Sequence, residues 1–393
     1  MASTSNDWRA SLSSNDRYDN IQNIKTALDQ TASSATFTQK DAFSIENDAY
    51  KTSSSRDQYD AACRLLPRGD PSASVAGASG PEEQPPGSEQ TESPGISIGD
   101  YTNCHYVASG VTGAVYRSKT TALKVIVETR NIEPHNPSRE AKILALLKKP
   151  CIPLLETFRD QDQRFTLAFP FMPLSLEALI EQGSIPRGRV RSHFRELFSA
   201  LRDLHGQGII HRDIKPSAIL LESPDGPAYL SDFGTAWHPK LSSSSEPEDQ
   251  KILDIGTGPY RSPEALFGDK SYGPAVDMWG SGVMLAECCR SKPRPLFESR
   301  AAHEDGNQLG LILSIFKTIG SPTRESWPQA AKFRTPPFEM YQSFPSQDWN
   351  ALLPDVDSDF LKLIKALVTF NTSVRVPAAQ ALQFECLRHE SKA

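Results

Sequence analysis

The sequence predicts an α+β fold in two lobes, a small strand-rich lobe followed by a larger helical one. Three observations predict it. Residues 101–127 alternate apolar and polar side chains, are rich in β-branched types, and turn at Gly110 to Gly113, the pattern of a strand hairpin. Ser138 to Leu147 (SREAKILALL) then repeats apolar residues at helical spacing behind a capping serine. Short strands follow through Phe171, after which helical periodicity takes over: Arg189 to His205, Ala275 to Cys289, Asn307 to Ile319, Asp357 to Phe370 and Pro377 to Gln383. Strands gathered at one end and helices at the other make segregated layers, with a ligand cleft expected between them.

Ahead of these elements the texture differs. From Met1 to about Ala62 the chain is polar and serine-rich, with two weak helical patches, one marked by Ile21, Ile24 and Leu28 and one from Lys40 to Ala62. Neither patch carries enough apolar surface to fold alone, so transient helices or a docking arm are expected. Leu66 to Pro94 (LPRGDPSASVAGASGPEEQPPGSEQTESP) contains little that could build a core and reads as a disordered linker. The domain plan is therefore an extension and linker over 1–95 and a two-lobed domain over 96–388, divided near 171/172.

Bulk properties narrow the function. The 393 residues are 38% hydrophobic and 23% charged, ordinary for a globular protein. A net charge of -6 offers no overall basic field for nucleic acid or anionic lipid, so small molecules and proteins are the expected partners. The six cysteines form no CxxC pair and have no histidine at zinc spacing, which suits buried thiols in a reducing compartment. No run approaches the roughly 18 apolar residues of a membrane span, and Met1 to Ser5 lacks the start of a signal peptide. Cytoplasm or nucleus is the expected location.

The chemistry concentrates in two short runs, His211-Arg212-Asp213-Ile214-Lys215-Pro216 and Leu230-Ser231-Asp232-Phe233-Gly234. An aspartate in a loop is more often a turn former. Here two of them flank a short hairpin that can aim both carboxylates into one cleft. Phosphoryl transfer needs just that: one carboxylate to orient a hydroxyl, another to hold a metal on the phosphates. The segment resembles the catalytic loop and the metal-binding DFG motif of protein kinases. The resemblance covers roughly residues 96 to 388 and specifies the fold as the two-lobed protein kinase fold, with one αC helix in the small lobe.

The resemblance implies ATP and Mg2+ as cofactors and a set of site residues. Asp213 would orient the acceptor hydroxyl, Lys215 would contact the γ-phosphate, and Asp232 would bind the metal. Lys124, closing the strand Ala122-Leu123-Lys124, would pair with the α- and β-phosphates, and Glu140 in the first helix would steer it. Gly110 and Gly113 would cover the phosphates, although Ala108 replaces the first glycine of the usual loop. Val115 and Ala122 would roof the adenine, Leu220 would floor it, Phe169 would be the gatekeeper, and Phe171 and Met172 the hinge. The bland reading makes these ordinary core residues, and both readings can hold.

Further motifs are similar to the same family. Ser262-Pro263-Glu264 ends an activation segment, with Glu264 expected to pair with Arg375, and Asp277 begins the helix that anchors the catalytic loop. Lys215 and Thr257 resemble the serine/threonine class. Tyr260-Arg261 and Phe316 to Phe333 resemble the cyclin-dependent kinase branch, whereas Pro134 to Leu144 lacks its cyclin-binding helix sequence. That combination is similar to the monomeric fungal kinases that activate cyclin-dependent kinases. The resemblance implies a protein substrate, a cyclin-dependent kinase being the candidate, and no cyclin is expected.

Two departures bear on activity. Ala218 stands where kinases carry the asparagine that binds a second metal and helps hold the catalytic loop, and a methyl group has no donor or acceptor. A scaffold that binds nucleotide or a partner with little turnover is therefore the alternative to an enzyme. In addition, the position of the usual activating phosphothreonine falls near Ile252 to Asp254, with no hydroxyl. Activity independent of phosphorylation there is expected, with Asp249 or Asp254 as the partner of Arg212.

Overall fold

The structure, a computed structural model, describes residues 95–110, 112–127, 133–298, 307–338 and 342–388, together with positions 20, 21, 24, 45, 46, 49, 50, 53 and 55–64. The chain divides into two units, residues 1–90 and 91–393. The linker expected from Leu66 to Pro94 lies outside the described residues, as does Leu28. In the first unit, helix α1 (Arg56–Arg64) contributes Tyr59 and Cys63 to a buried cluster with Ile21, Ile24 and Ala49. Segments with little apolar surface of their own thus pool it, and the Tyr59 hydroxyl donates to Glu46 at 2.5 Å.

The second unit begins with an antiparallel sheet. Its strands are β1 (Ile96–Ile98), β2 (Tyr101–Ser109), β3 (Gly113–Ser118), β4 (Thr121–Ile126), β5 (Glu156–Arg159) and β6 (Phe165–Pro170), in the order β1-β2-β3-β4-β6-β5. The two-residue side-chain period decides what each face of β4 presents. Leu123 and Val125 are buried on one face, packed with Ile98, Cys104 and Ala168. Ala122, Lys124 and Ile126 point the other way, which sends Lys124 toward the second lobe.

Helix α2 (Pro137–Leu144) starts earlier than the capping serine predicts. Asn136 is the cap, its side-chain oxygen accepting from the Arg139 N–H at 2.9 Å, and Pro137 fills the first helical position, where its missing N–H costs nothing. Glu140, Ile143 and Leu144 share the buried face at helical spacing.

The second lobe holds α3 (Leu176–Glu181), α4 (Arg187–Gly206), α5 (Ala275–Cys288), α6 (Asn307–Ile319) and α7 (Ser358–Leu367), with a small sheet β7 (Leu174–Ser175), β8 (Ile219–Leu221) and β9 (Ala228–Leu230). The helix expected from Asp357 begins one residue later because Asp357 caps it, accepting from the Asp359 N–H at 3.0 Å. The helix expected over Pro377 to Gln383 shrinks to Ala378–Ala381. Helix α5 is buried on every side from Val276 to Cys288. Gly282 permits its contact with α7, since a Cβ there would lie 2.6 Å from Cβ of Leu367. The two lobes of the α+β prediction are therefore present, and the runs His211 to Pro216 and Leu230 to Gly234 lie around β8 and β9.

Candidate active site

The small lobe delivers its lysine as an ion pair. Lys124 Nζ donates to both oxygens of Glu140 at 2.8 and 2.9 Å and approaches Asp232 Oδ1 at 3.5 Å. Glu140 is 2% exposed, so its carboxylate depends on that partner. Burial would push the lysine's pKa down, but Glu140 and Asp232 outweigh it and hold the amine protonated.

The second lobe delivers two aspartates by different means. The run from His211 to Asp213 is hung from α5: Asp277 accepts the His211 N–H at 2.9 Å and the Arg212 N–H at 2.8 Å, and His205 Nε2 lies 2.9 Å from the same carboxylate. This clamp keeps Arg212 at φ 73°, a left-handed conformation that non-glycine residues seldom adopt. Asp213 then has both oxygens engaged, Oδ2 by Lys215 at 2.6 Å and Oδ1 by the Thr257 hydroxyl at 2.7 Å, while Lys215 also reaches Thr257 at 3.3 Å. The carboxylate of Asp213 is thereby locked in direction, and it holds the Lys215 amine protonated against the effect of burial.

Asp232, at φ 60°, follows β9 and leaves its side chain 48% exposed. Burial among protein atoms would push its pKa up, but Lys124, Lys215 and His211 bring it down to about 2. It is an anion at any working pH. Phe233 behind it is fully buried and packs edge-on against His211, with centroids 4.9 Å apart, while His211 Nε2 lies 2.8 Å from the Ser231 carbonyl.

The remaining predicted positions fall in β3, β4, β6 and β8 and in the loops beside β2 and β6. Gly110 N–H donates to the Gly113 carbonyl at 2.8 Å, closing the loop between β2 and β3; Val111 lies outside the described residues. A Cβ on Gly113 would come within 2.1 Å of the Val125 carbonyl oxygen, so no other residue fits there. Val115 sits opposite Lys124, and Ala122 opposite Phe169, in the sheet register. Phe171 donates its N–H to Thr120 at 2.7 Å, with the Arg117 guanidinium 4.3 Å above its ring. Val115, Ala122, Phe169, Phe171, Met172 and Leu220 are all half-buried.

The donor set fits a nucleotide with a hard cation. Among the described residues no group of three or more His, Cys, Asp or Glu is placed to hold a metal ion. A cation on Asp232 therefore needs phosphate oxygens to complete its shell, as magnesium commonly does. Ala218 adds no ligand, being fully buried. Its carbonyl accepts both the Ser231 N–H at 2.8 Å and the Ser231 hydroxyl at 2.9 Å, which ties the catalytic loop to the strand before Asp232. The loop-holding part of the missing asparagine is thus met another way, and the ligand part is not.

The partner of Arg212 departs from expectation. Neither Asp249 nor Asp254 fills that role: Asp249 is exposed, and Asp254 lies 3.7 Å from Arg261. Glu246 takes it, at 2.8 Å, with both side chains fully buried and the Tyr272 hydroxyl 3.1 Å from the same nitrogen. A turn over His238 to Ser242, closed by the Ser242 hydroxyl accepting the His238 N–H at 3.0 Å, shortens the path of the segment and brings Glu246 inward. Counting back from Thr257 cannot reveal that shortening. Glu264 and Arg375 do pair, at 2.6 and 3.1 Å, and Tyr260 donates to Glu287 at 2.6 Å.

A family model described as protein kinase domain matches residues 101–387. The chain belongs to the protein kinase family. This kinase is 39% identical over 185 residues to serine/threonine-protein kinase csk1 of Schizosaccharomyces pombe, a match covering 45% of this chain and 56% of that one. It is 31% identical over 297 residues to cyclin-dependent kinase 7 of Xenopus laevis, covering 72% and 80%. With serine/threonine-protein kinase CAK1 of Saccharomyces cerevisiae the identity is 30% over 283 residues, covering 59% and 77%. These relatives place the kinase in the cyclin-dependent-kinase-like branch and lend no support to the scaffold alternative.

Proposed function

We propose that this kinase transfers the γ-phosphoryl group of ATP, bound with Mg2+, to a serine or threonine hydroxyl, and that the acceptor is the activation segment of a cyclin-dependent kinase. The observation that carries the reading is the engagement of Asp213 by Lys215 and Thr257 beside a Lys124–Glu140 pair that also reaches Asp232. Asp213 orients the acceptor hydroxyl and takes its proton as the new oxygen–phosphorus bond forms and the bridging bond to ADP breaks. Lys124, steered by Glu140, neutralises phosphate charge, and Lys215 does so at the group in transit. When bound, the nucleotide and its cation supply the transferable group and the charge that polarises it, with Asp232 as the protein's metal ligand. The resemblance to monomeric fungal activating kinases supports the acceptor, as does the similarity to cyclin-dependent kinase 7.

The test supplies the purified chain with labelled ATP, Mg2+ and a kinase-inactive cyclin-dependent kinase. Label on its activation-segment threonine, absent with Asp213→Ala, is expected. Transfer to other proteins but not to that threonine would replace the acceptor. Nucleotide binding with no transfer above the Asp213→Ala control would restore the scaffold reading.

A further inference from the structure

A lysine is seldom buried without a carboxylate beside it, because its charge gives up water. Lys251 is 2% exposed and, among the described residues, forms no ion pair. Its amine donates to the Glu248 carbonyl and faces two aromatic rings, with Nζ 4.6 Å from the centroid of Trp237 and 5.5 Å from that of Tyr272. Both distances lie within the range at which a ring face attracts a cation. Burial lowers the amine's pKa, and Glu248 and Asp269 oppose that effect.

The two rings are tied to the catalytic loop by bonds that Lys251 does not make. Trp237 exchanges backbone bonds with Ile210, the residue before His211, at 2.8 and 3.0 Å. The Tyr272 hydroxyl accepts from Arg212 at 3.1 Å and donates to the Ile252 carbonyl at 2.7 Å. Lys251 enters the slot between them and donates its backbone N–H to the Lys270 carbonyl at 3.0 Å. A short stretch further along the chain, Thr257 bonds Asp213 at 2.7 Å.

We propose that Lys251 is a positioning residue for phosphoryl transfer: its ammonium, seated against Trp237 and Tyr272, docks the activation segment on the catalytic loop and so keeps Thr257 on Asp213. The proposal rests on the kinase reading above and adds a second anchor to that site, distinct from the Arg212–Glu246 ion pair. A cation held by ring faces has no competing carboxylate to follow, so the position of the rings sets the position of the segment. The effect falls on the acceptor side of the reaction, since Lys124 and Asp232 are held by other contacts.

Turnover on a fixed protein acceptor, the KM for ATP, and cleavage after Glu248 by a glutamate-specific protease are measured on the native full chain, Lys251→Met and Lys251→Arg. Lys251→Met keeps a long apolar stem and removes the charge. It should lower kcat about tenfold, quicken the cleavage by a similar factor, and leave the KM for ATP within about twofold. Lys251→Arg, a cation that also stacks on aromatic faces, should recover most of both losses. A side chain that merely filled space would show no such recovery with charge. Native turnover and native cleavage in Lys251→Met, or a Lys251→Arg no better than Lys251→Met, overturns the proposal while the kinase reading stands. A native chain that transfers nothing overturns the kinase reading, and cleavage then decides the docking by itself: faster in Lys251→Met alone supports it, and equal in all three proteins overturns it.

Discussion

Glu246→Ala should release the activation segment and lower turnover by more than tenfold. Glu246 and Arg212 form a buried pair; the Glu246 Oε1 also accepts the Ile252 N–H at 3.0 Å, and the Glu246 carbonyl accepts from the Trp237 indole at 3.0 Å. Burial pushes the carboxyl's pKa up, but Arg212 outweighs it and keeps the group ionised. Removing one member of a buried pair costs about 3–5 kcal/mol. Arg212 retains Tyr272 and the Thr235 carbonyl, so the lower figure applies. About 3 kcal/mol shifts the balance between docked and released segment by roughly 100-fold. Thr257, at the far end of the segment, would then leave Asp213. Glu246→Gln keeps an acceptor and should lose about half as much. Turnover on a fixed acceptor is measured alongside limited proteolysis between residues 239 and 256, and the native chain is assayed before and after phosphatase. The docked carboxylate stands where a phosphate would otherwise serve, so phosphatase should change nothing. Equal turnover and equal cleavage in Glu246→Ala, or loss of native activity on dephosphorylation, would refute the argument.

Other substitutions give separate readouts. Ala218→Asn adds an amide beside Asp232 and should lower the Mg2+ concentration that half-saturates ATP binding, followed with a fluorescent nucleotide; no shift would mean the vacant ligand position is irrelevant. Lys124→Met should abolish measurable transfer and leave Glu140 buried without a partner. Burial raises the pKa of Glu140, so the folded variant favours its protonated form. The variant's deficit in Tm should therefore widen as pH rises from the unfolded carboxyl value of about 4.3, and a deficit equal at pH 5 and pH 8 would contradict this. Glu264→Ala removes the carboxylate partner of Arg375, a fully buried guanidinium 5.1 Å above the Trp279 ring that keeps only backbone carbonyls, and should lower Tm by about 6–12 °C; a loss under about 2 °C would show the bridge to be dispensable.

What could be read from the residues alone followed from periodicity and short spacing. The alternation in Ala122-Leu123-Lys124-Val125 places the lysine opposite two core residues, and the helical spacing of Glu140, Ile143 and Leu144 places the glutamate on the buried face, so their meeting was predictable. The neighbourhood of Asp213 was readable for a similar reason, because Lys215 is two residues away and Thr257 belongs to a recognisable run. The partner of Arg212 was not. Glu246 lies in a stretch of serine, proline and acidic residues without periodicity, and its inward position depends on a turn made by side-chain bonds at His238 and Ser242. The cap of α2 was missed by two residues for a smaller reason: Ser138 and Asn136 are both good caps, and Pro137 between them decides the matter.

The loss of the catalytic-loop asparagine therefore has a bounded effect. That residue type would serve two ends, holding the loop and binding a metal, and the two are separable here. The Ser231 N–H and hydroxyl both bond the Ala218 carbonyl, and Asp277 suspends the loop from α5, so the direction of Asp213 does not depend on an amide at position 218. What is lost is one oxygen ligand near the phosphates. On the proposed function, Lys124, Lys215 and the single carboxylate of Asp232 would carry that charge, which makes cation affinity the property most exposed to the substitution. A chain abandoned as an enzyme would have no reason to keep Asp213 held at both oxygens, with Lys215 and Thr257 themselves in contact. The bond from Thr257 to Asp213 would contribute nothing to nucleotide binding in a scaffold, and it fixes the carboxylate that a hydroxyl acceptor requires.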